Sequence, residues 1–93
     1  MIRSFSDKEA VKIFRRESSE KIPRHLQKII YRKLIIIDSA VSLIDLKSPP
    51  GNNLKKLKGN RDGQYSTRIN NQWRICFYWN KGNAYEVEIV DYH

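Results

Sequence analysis

Arg74, Asp91, Tyr92 and His93 are the side chains of this chain best suited to act on a phosphodiester, and a cationic run leads up to them. That run is Leu57-Lys58-Gly59-Asn60-Arg61-Asp62-Gly63-Gln64-Tyr65-Ser66-Thr67-Arg68-Ile69-Asn70-Asn71-Gln72-Trp73-Arg74. Residues 47–74 hold seven Lys/Arg against the single carboxylate of Asp62, whereas residues 75–93 carry a net charge of −2. A cationic field concentrated in one segment is the electrostatic footprint expected of a nucleic-acid-binding protein. The plainer alternative is a solvated basic surface that only keeps the protein dispersed.

Cleaving RNA asks little of a protein, because each ribose carries its own nucleophile. The 2′-hydroxyl attacks the adjacent phosphorus, negative charge gathers on the phosphate oxygens, and the 5′-oxygen departs. A protein contributes by aligning the attack, placing cations against the growing charge and moving two protons. Arg74 suits the second task, since guanidinium holds phosphate through paired donors and stays protonated. Its competing reading is structural, as an ion-pair partner of Glu86 or Glu88. His93 titrates near neutrality and could carry a proton, but a terminal histidine is often frayed and idle. Tyr92 could stack on a base or hydrogen-bond a phosphate, or it could be an ordinary edge aromatic. Asp91 could orient His93 or a nearby cation, or simply be solvated. Lys58, Arg61 and Arg68 read as phosphate contacts that hold the strand, with Lys55, Lys56 and Asn71 beside them.

Other chemistries fit less well. His25, His93 and Cys76 do not form a metal-ligand pattern, so neither metal nor cofactor is expected. Gly59 and Gly63 lack the spacing of a nucleotide-binding loop. No serine or cysteine sits in a nucleophile motif, and Cys76 reads as packed between strands. A lone cysteine cannot form an internal disulfide, which points to a reducing compartment. The chain lacks an apolar run of membrane-spanning length, and its start lacks a signal-peptide core. It reads as a cytosolic soluble protein, complete as written, with no membrane partner.

At 93 residues the expectation is one domain, 1–93, able to bury roughly two-thirds of its unfolded surface. Met1 to Phe5 could be an edge strand. Ser6-Asp7-Lys8-Glu9 has the form of a capping box, predicting a helix through about Arg16 that buries Ala10, Val11 and Phe14. Pro23 fits the first turn of a second helix. There Leu26, Ile29, Ile30, Leu34, Ile37, Val41 and Ile44 recur as one apolar stripe, while Arg24, Lys28 and Arg32 face water. Ile35 and Ile36 fall off that stripe, either widening the buried face or marking a partner's seat.

Pro49-Pro50-Gly51-Asn52-Asn53 ends the helical half, and strands follow. Leu54 to Lys58 and Tyr65 to Ile69 are short strands, with Asn70-Asn71-Gln72 as a turn. Trp73, Ile75, Phe77 and Trp79 then share one face, and Tyr85, Val87 and Ile89 alternate with Glu86, Glu88 and Val90. Helices first and consecutive strands afterwards imply an α+β fold, two N-terminal helices on one face of a twisted, mainly antiparallel sheet. Strict alternation would put Arg74, Tyr78, Glu86, Glu88 and Tyr92 on the face away from the helices.

The segments Ser48-Pro49-Pro50-Gly51-Asn52, Leu57 to Ser66, Arg68-Ile69-Asn70, Gln72 to Phe77 and Val87 to His93 together resemble the HigB-type (GraT-like) toxins. These form the plasmid-maintenance killer branch of the RelE-like bacterial toxins, and Met1-Ile2-Arg3-Ser4-Phe5 fits them as well. The resemblance implies the RelE-like toxin fold and an mRNA interferase that cleaves message in the ribosomal A site. It implies a HigA-like antitoxin with a helix-turn-helix as partner, operator DNA being met only through that complex. Arg74, Asp91, Tyr92 and His93 match the family positions tied to cleavage, and Lys58 and Arg68 match basic positions that bind RNA. The chain departs from some relatives in having Lys55 or Lys56 where they carry a histidine. A lysine there could hold phosphate, or act as a base if desolvated. Composition alone would equally support a non-catalytic RNA- or ribosome-binding module, or a basic surface that meets an acidic partner without chemistry.

Overall fold

The computed structural model describes residues 1–47 and 53–92. Three helices, α1 (Lys8–Phe14), α2 (Arg24–Ser39) and α3 (Leu43–Lys47), precede strands β1 (Lys55–Lys56), β2 (Gln64–Arg68), β3 (Trp73–Asn80) and β4 (Asn83–Asp91). The strands form one antiparallel sheet in the order β1-β2-β3-β4. The α+β architecture is the expected one, with a short third helix added.

The first helix starts one residue later than a Ser6 capping box would put it. Asp7 is the N-cap, its Oδ1 accepting from the Glu9 N–H at 3.0 Å. The Ser6 hydroxyl is turned instead to the Glu86 carbonyl, to which it donates. The other Asp7 oxygen accepts from the Ile89 N–H at 3.0 Å, so one carboxylate joins α1 to β4. Asp7→Ala is therefore expected to lose about 2 kcal/mol, an N-cap plus a stranded strand donor, read as a lower urea midpoint at unchanged slope. At the other end α1 stops at Phe14 rather than Arg16. Arg16 takes a left-handed φ of 63°, and the Glu17 N–H turns back onto the Lys12 carbonyl. Ala10 and Ile13 are the buried residues of α1, whereas Val11 and Phe14 are only half-buried.

In α2 the buried face is Leu26, Ile30, Leu34 and Ile37, with Arg24, Lys28 and Arg32 in solvent as their spacing predicts. Pro23 is the N-cap, immediately before the first turn. The stripe does not run on to Val41 and Ile44, which stand 79% and 73% exposed. Ala40 leaves the helix in an extended conformation, and the Asp45 carboxylate caps a fresh start by accepting from the Val41 and Ser42 N–H groups. Breaking the helix resets its phase, so Leu46 rather than Ile44 enters the core. Ile29, Ile35 and Ile36 remain between 37% and 40% exposed, so none of the three belongs to the buried stripe. Of the predicted stop at Pro49-Pro50-Gly51-Asn52-Asn53, all but Asn53 lies outside the described residues.

The helices cover the sheet face bearing Ile75, Phe77, Ala84 and Val87, all fully buried. Two devices set the register of β3 and β4. Lys81 and Gly82, at φ 50° and 80°, make the double left-handed turn that matches strand twist. A bulge then sets Glu86 and Val87 together opposite Phe77, with Glu86 at φ 52°. The N-terminal segment stitches that bulge. Ile2 and Phe5 bridge in parallel to Ala84 and Val87, and the Ser4 hydroxyl accepts from the Glu86 N–H at 2.8 Å. Met1–Phe5 thus lies along the sheet edge, as an edge-strand reading expects. The bulge corrects the simple alternation, because Tyr85 rather than Glu86 pairs across from Tyr78.

Candidate functional site

Arg74 lies in the middle of the sheet, on the face turned away from the helices, since Ile75 and Phe77 belong to the core they cover. It is only 8% exposed, an unusual setting for a guanidinium. Its Nε–H donates to the Ser66 Oγ at 2.8 Å. Its Nη2 donates to the Asn53 carbonyl at 2.8 Å and reaches the Ser66 carbonyl at 3.5 Å. No carboxylate among the described residues pairs with it, so the ion pair with Glu86 or Glu88 weighed above does not form. Its Nη1 donors likewise find no partner among those residues. Burial pushes the Arg74 pKa down, partly offset by Cys76 and Tyr92 and reinforced by Arg68. A cation fixed along one edge, with its other donors unspent, suits an incoming phosphate oxygen.

Register brings a second cation to the same place. Arg68 is the direct cross-strand partner of Arg74 in the β2–β3 ladder. Like charges directly opposed cost a sheet stability rather than adding to it. The Arg68 Nη2 donates to the Asn71 side chain, which joins that turn residue to the cationic cluster. Lys55 pairs across from Ser66 and so shares the Arg74 side of the sheet, whereas Lys56 pairs with Tyr65 on the helix side. Both lysines, and Lys58 after them, are exposed. Solvated ammonium groups at a sheet edge suit the holding of phosphate.

The C-terminal residues separate. Tyr92 is 40% exposed and docked to the β2–β3 turn through its N–H, which donates to the Gln72 carbonyl. Its phenol partly offsets the burial that lowers the Arg74 pKa and adds slightly to the Glu88 hydrogen bond that raises that of Arg61. Asp91 pairs across from Trp73, on the other side of the pleat from Arg74, and accepts from the Gln72 side chain at 3.2 Å. His93 lies outside the described residues. Arg61, read from sequence as a phosphate contact, is engaged by the Glu88 carboxylate and by the Gln64 Oε1 at 3.0 Å.

Sequence reasoning missed Ser66 and Asn53, the two anchors of Arg74. Nothing in their local pattern marks them, because each meets Arg74 only after the strands pair. Cys76, expected between strands, is fully buried, and burial raises its thiol pKa. Among the described residues no group of three or more His, Cys, Asp or Glu could hold a metal. A concavity of about 590 Å³ lies on the helical layer, lined by residues such as Ile13, Arg16, Lys28 and Tyr31. It shares no residue with the Arg74 cluster, which occupies open sheet and so suits an extended polymer rather than an enclosed small molecule.

Residues 3–93 match the family described as RelE-like toxin of type II toxin-antitoxin system HigB. The chain belongs to the HigB-like toxin family. It is 43% identical over 63 residues to Toxin HigB-1 of Vibrio cholerae serotype O1, covering 68% of this chain and 66% of that protein. It is 32% identical to the Endoribonuclease HigB of Proteus vulgaris over 93 residues, the full length of both. Among solved structures it is similar to the Staphylococcus aureus YoeB-YefM toxin-antitoxin complex, at TM-score 0.58 and 21% identity over 100% of this chain and 95% of that one. The YafQ structure from E. coli superposes at TM-score 0.56 and 14% identity, over 94% and 89%. At such identities the likeness concerns the fold, and it places this HigB-like chain in the α+β architecture of those structures. No helix among the described residues is long and apolar enough to cross a membrane.

Proposed function

We propose that this HigB-like protein is an endoribonuclease toxin that cleaves message in the ribosomal A site, and so arrests translation in the cytoplasm. The observation that carries this reading is Arg74, buried on an open cationic face, anchored by Ser66 and Asn53, and without a counter-ion among the described residues. The 2′-hydroxyl supplies the nucleophile and the 5′-oxygen leaves, while Arg74 meets the charge on the non-bridging oxygens. Arg68 and Lys55, with Lys56 and Lys58 at the same edge, hold the flanking phosphates. Tyr92 stacks on or hydrogen-bonds the nucleotide at the scissile position. Asp91 acts through Gln72 and the strand end, and His93 is the proton carrier. A HigA-like antitoxin with a helix-turn-helix holds the toxin inactive and takes the pair to operator DNA.

The test is cleavage of a defined message on programmed ribosomes, with the same RNA free in solution as control. New 5′ ends are expected only in the ribosomal complex, since so open a face borrows alignment from its host. Salt-sensitive RNA binding with no new ends would instead support the non-catalytic module.

A further inference from the structure

Glu88 is the natural counter-ion for Arg74. It sits across from Cys76 while Val90 faces Arg74, which makes Glu88 the diagonal neighbour of Arg74 on the open face. Diagonal neighbours lie about 7–8 Å apart, within reach of long side chains. Yet Glu88 is paired with Arg61, which reaches it from the 3₁₀ turn Gly59–Arg61. Arg61 is itself held by Gln64, the buried first residue of β2. The Arg61 guanidinium is pushed up by its hydrogen bond to Glu88, as a satisfied partner should be, while Glu88 is absent from the groups that perturb Arg74.

The structure assigns Arg61 the role of a positioning residue that captures the Glu88 carboxylate and thereby keeps Arg74 free for phosphate. This refines the reading of Arg61 as a direct RNA contact and rests on the proposed function of the Arg74 face. Remove Arg61, and the freed carboxylate either pairs with Arg74 or repels the incoming polyanion. Glu88 is the harmful group in that state, so neutralising it should undo the damage. An Arg61 that touched RNA directly would give no such rescue.

Four proteins decide it: wild type, Arg61→Ala, Glu88→Gln and the double variant. Two readouts are used on each, cleavage of message on programmed ribosomes and affinity for a fluorescent 2′-deoxy oligonucleotide that cannot be cut. Arg61→Ala is expected to weaken both by about tenfold, the effect of one unneutralised charge near the site. The double variant is expected to return within about threefold of wild type, and Glu88→Gln alone to stay there. A double variant as impaired as Arg61→Ala, or an Arg61→Ala protein as active as wild type, overturns the proposal. Should Arg61→Ala unfold, as a circular-dichroism melt would show, Arg61→Gln replaces it with the same rescue required. The oligonucleotide readout separates this inference from the reaction assigned above. A wild type that cuts nothing yet shows the rescue in affinity removes the ribonuclease reading and leaves the capture of Glu88 standing.

Discussion

Arg74→Ala is expected to lower ribosome-dependent cleavage by about 10²–10³-fold while leaving a folded protein, the loss typical when one preorganised donor to a developing oxyanion is removed. The guanidinium is replaced by water where the sheet presents a buried cation that no carboxylate among the described residues pairs with. Its removal leaves the Ser66 hydroxyl and the Asn53 carbonyl without their donor, a structural loss small beside the kinetic one. Arg74→Lys distinguishes charge from geometry. Lysine keeps the charge but cannot span both anchors and still present paired donors, so it should remain at least about tenfold below wild type. The measurement is single-turnover cleavage on programmed ribosomes, with growth arrest on induction as the cellular counterpart. Undiminished cleavage by Arg74→Ala would remove Arg74 from the chemistry.

Phe77→Ala should have the largest effect on stability, about 3–5 kcal/mol, because a fully buried aromatic leaves a cavity that a small domain cannot close. The ring is the centre of a run of aromatics, 6.4 Å from Tyr65 and 6.3 Å from Trp79 by ring centroids. It also lies opposite the bulge at Glu86 and Val87, so its loss loosens the point where β4 changes phase. Against a total stability of roughly 5–15 kcal/mol, such a variant would be largely unfolded under mild stress. Urea unfolding followed by tryptophan fluorescence checks this, with a stability loss under about 1 kcal/mol counting against it. Arg74→Ala and Phe77→Ala make a useful pair. They occupy opposite faces of one strand, one governing activity with little effect on folding and the other the reverse.

Much of the architecture was legible in the chain because it follows from local periodicity. The apolar spacing of Leu26, Ile30, Leu34 and Ile37, and the alternation of Trp73, Ile75 and Phe77 with Arg74 and Cys76, each report a buried face without knowledge of its partner. The cationic segment, the turn at Asn70-Asn71-Gln72 and the candidacy of Arg74 were legible for the same reason. Ser6 was displaced as a cap by Asp7, the stripe beyond Ala40 lost its phase, and Glu86 left the alternation. At Ser6 and Glu86 a hydrogen bond to a distant segment overrode a local preference: Ser6 to Glu86, Ile89 to Asp7, Glu86 to Ser4. Beyond Ala40 the nearby Asp45 carboxylate did so, capping a new helix.

Local pattern therefore set the order of helices and strands, most of the buried faces and the residue types available for RNA chemistry. Which charges neutralise one another was settled by folding. A linear reading gives Arg61 and Arg74 to RNA alike, one as a phosphate contact and one for the chemistry, and Glu88 is closer in sequence to Arg74. Strand register and the turn at Gly59–Arg61 instead join Glu88 to Arg61 and leave Arg74 to Ser66 and Asn53. Coulombic partners are chosen by distance in space, and that distance exists only once the strands have paired.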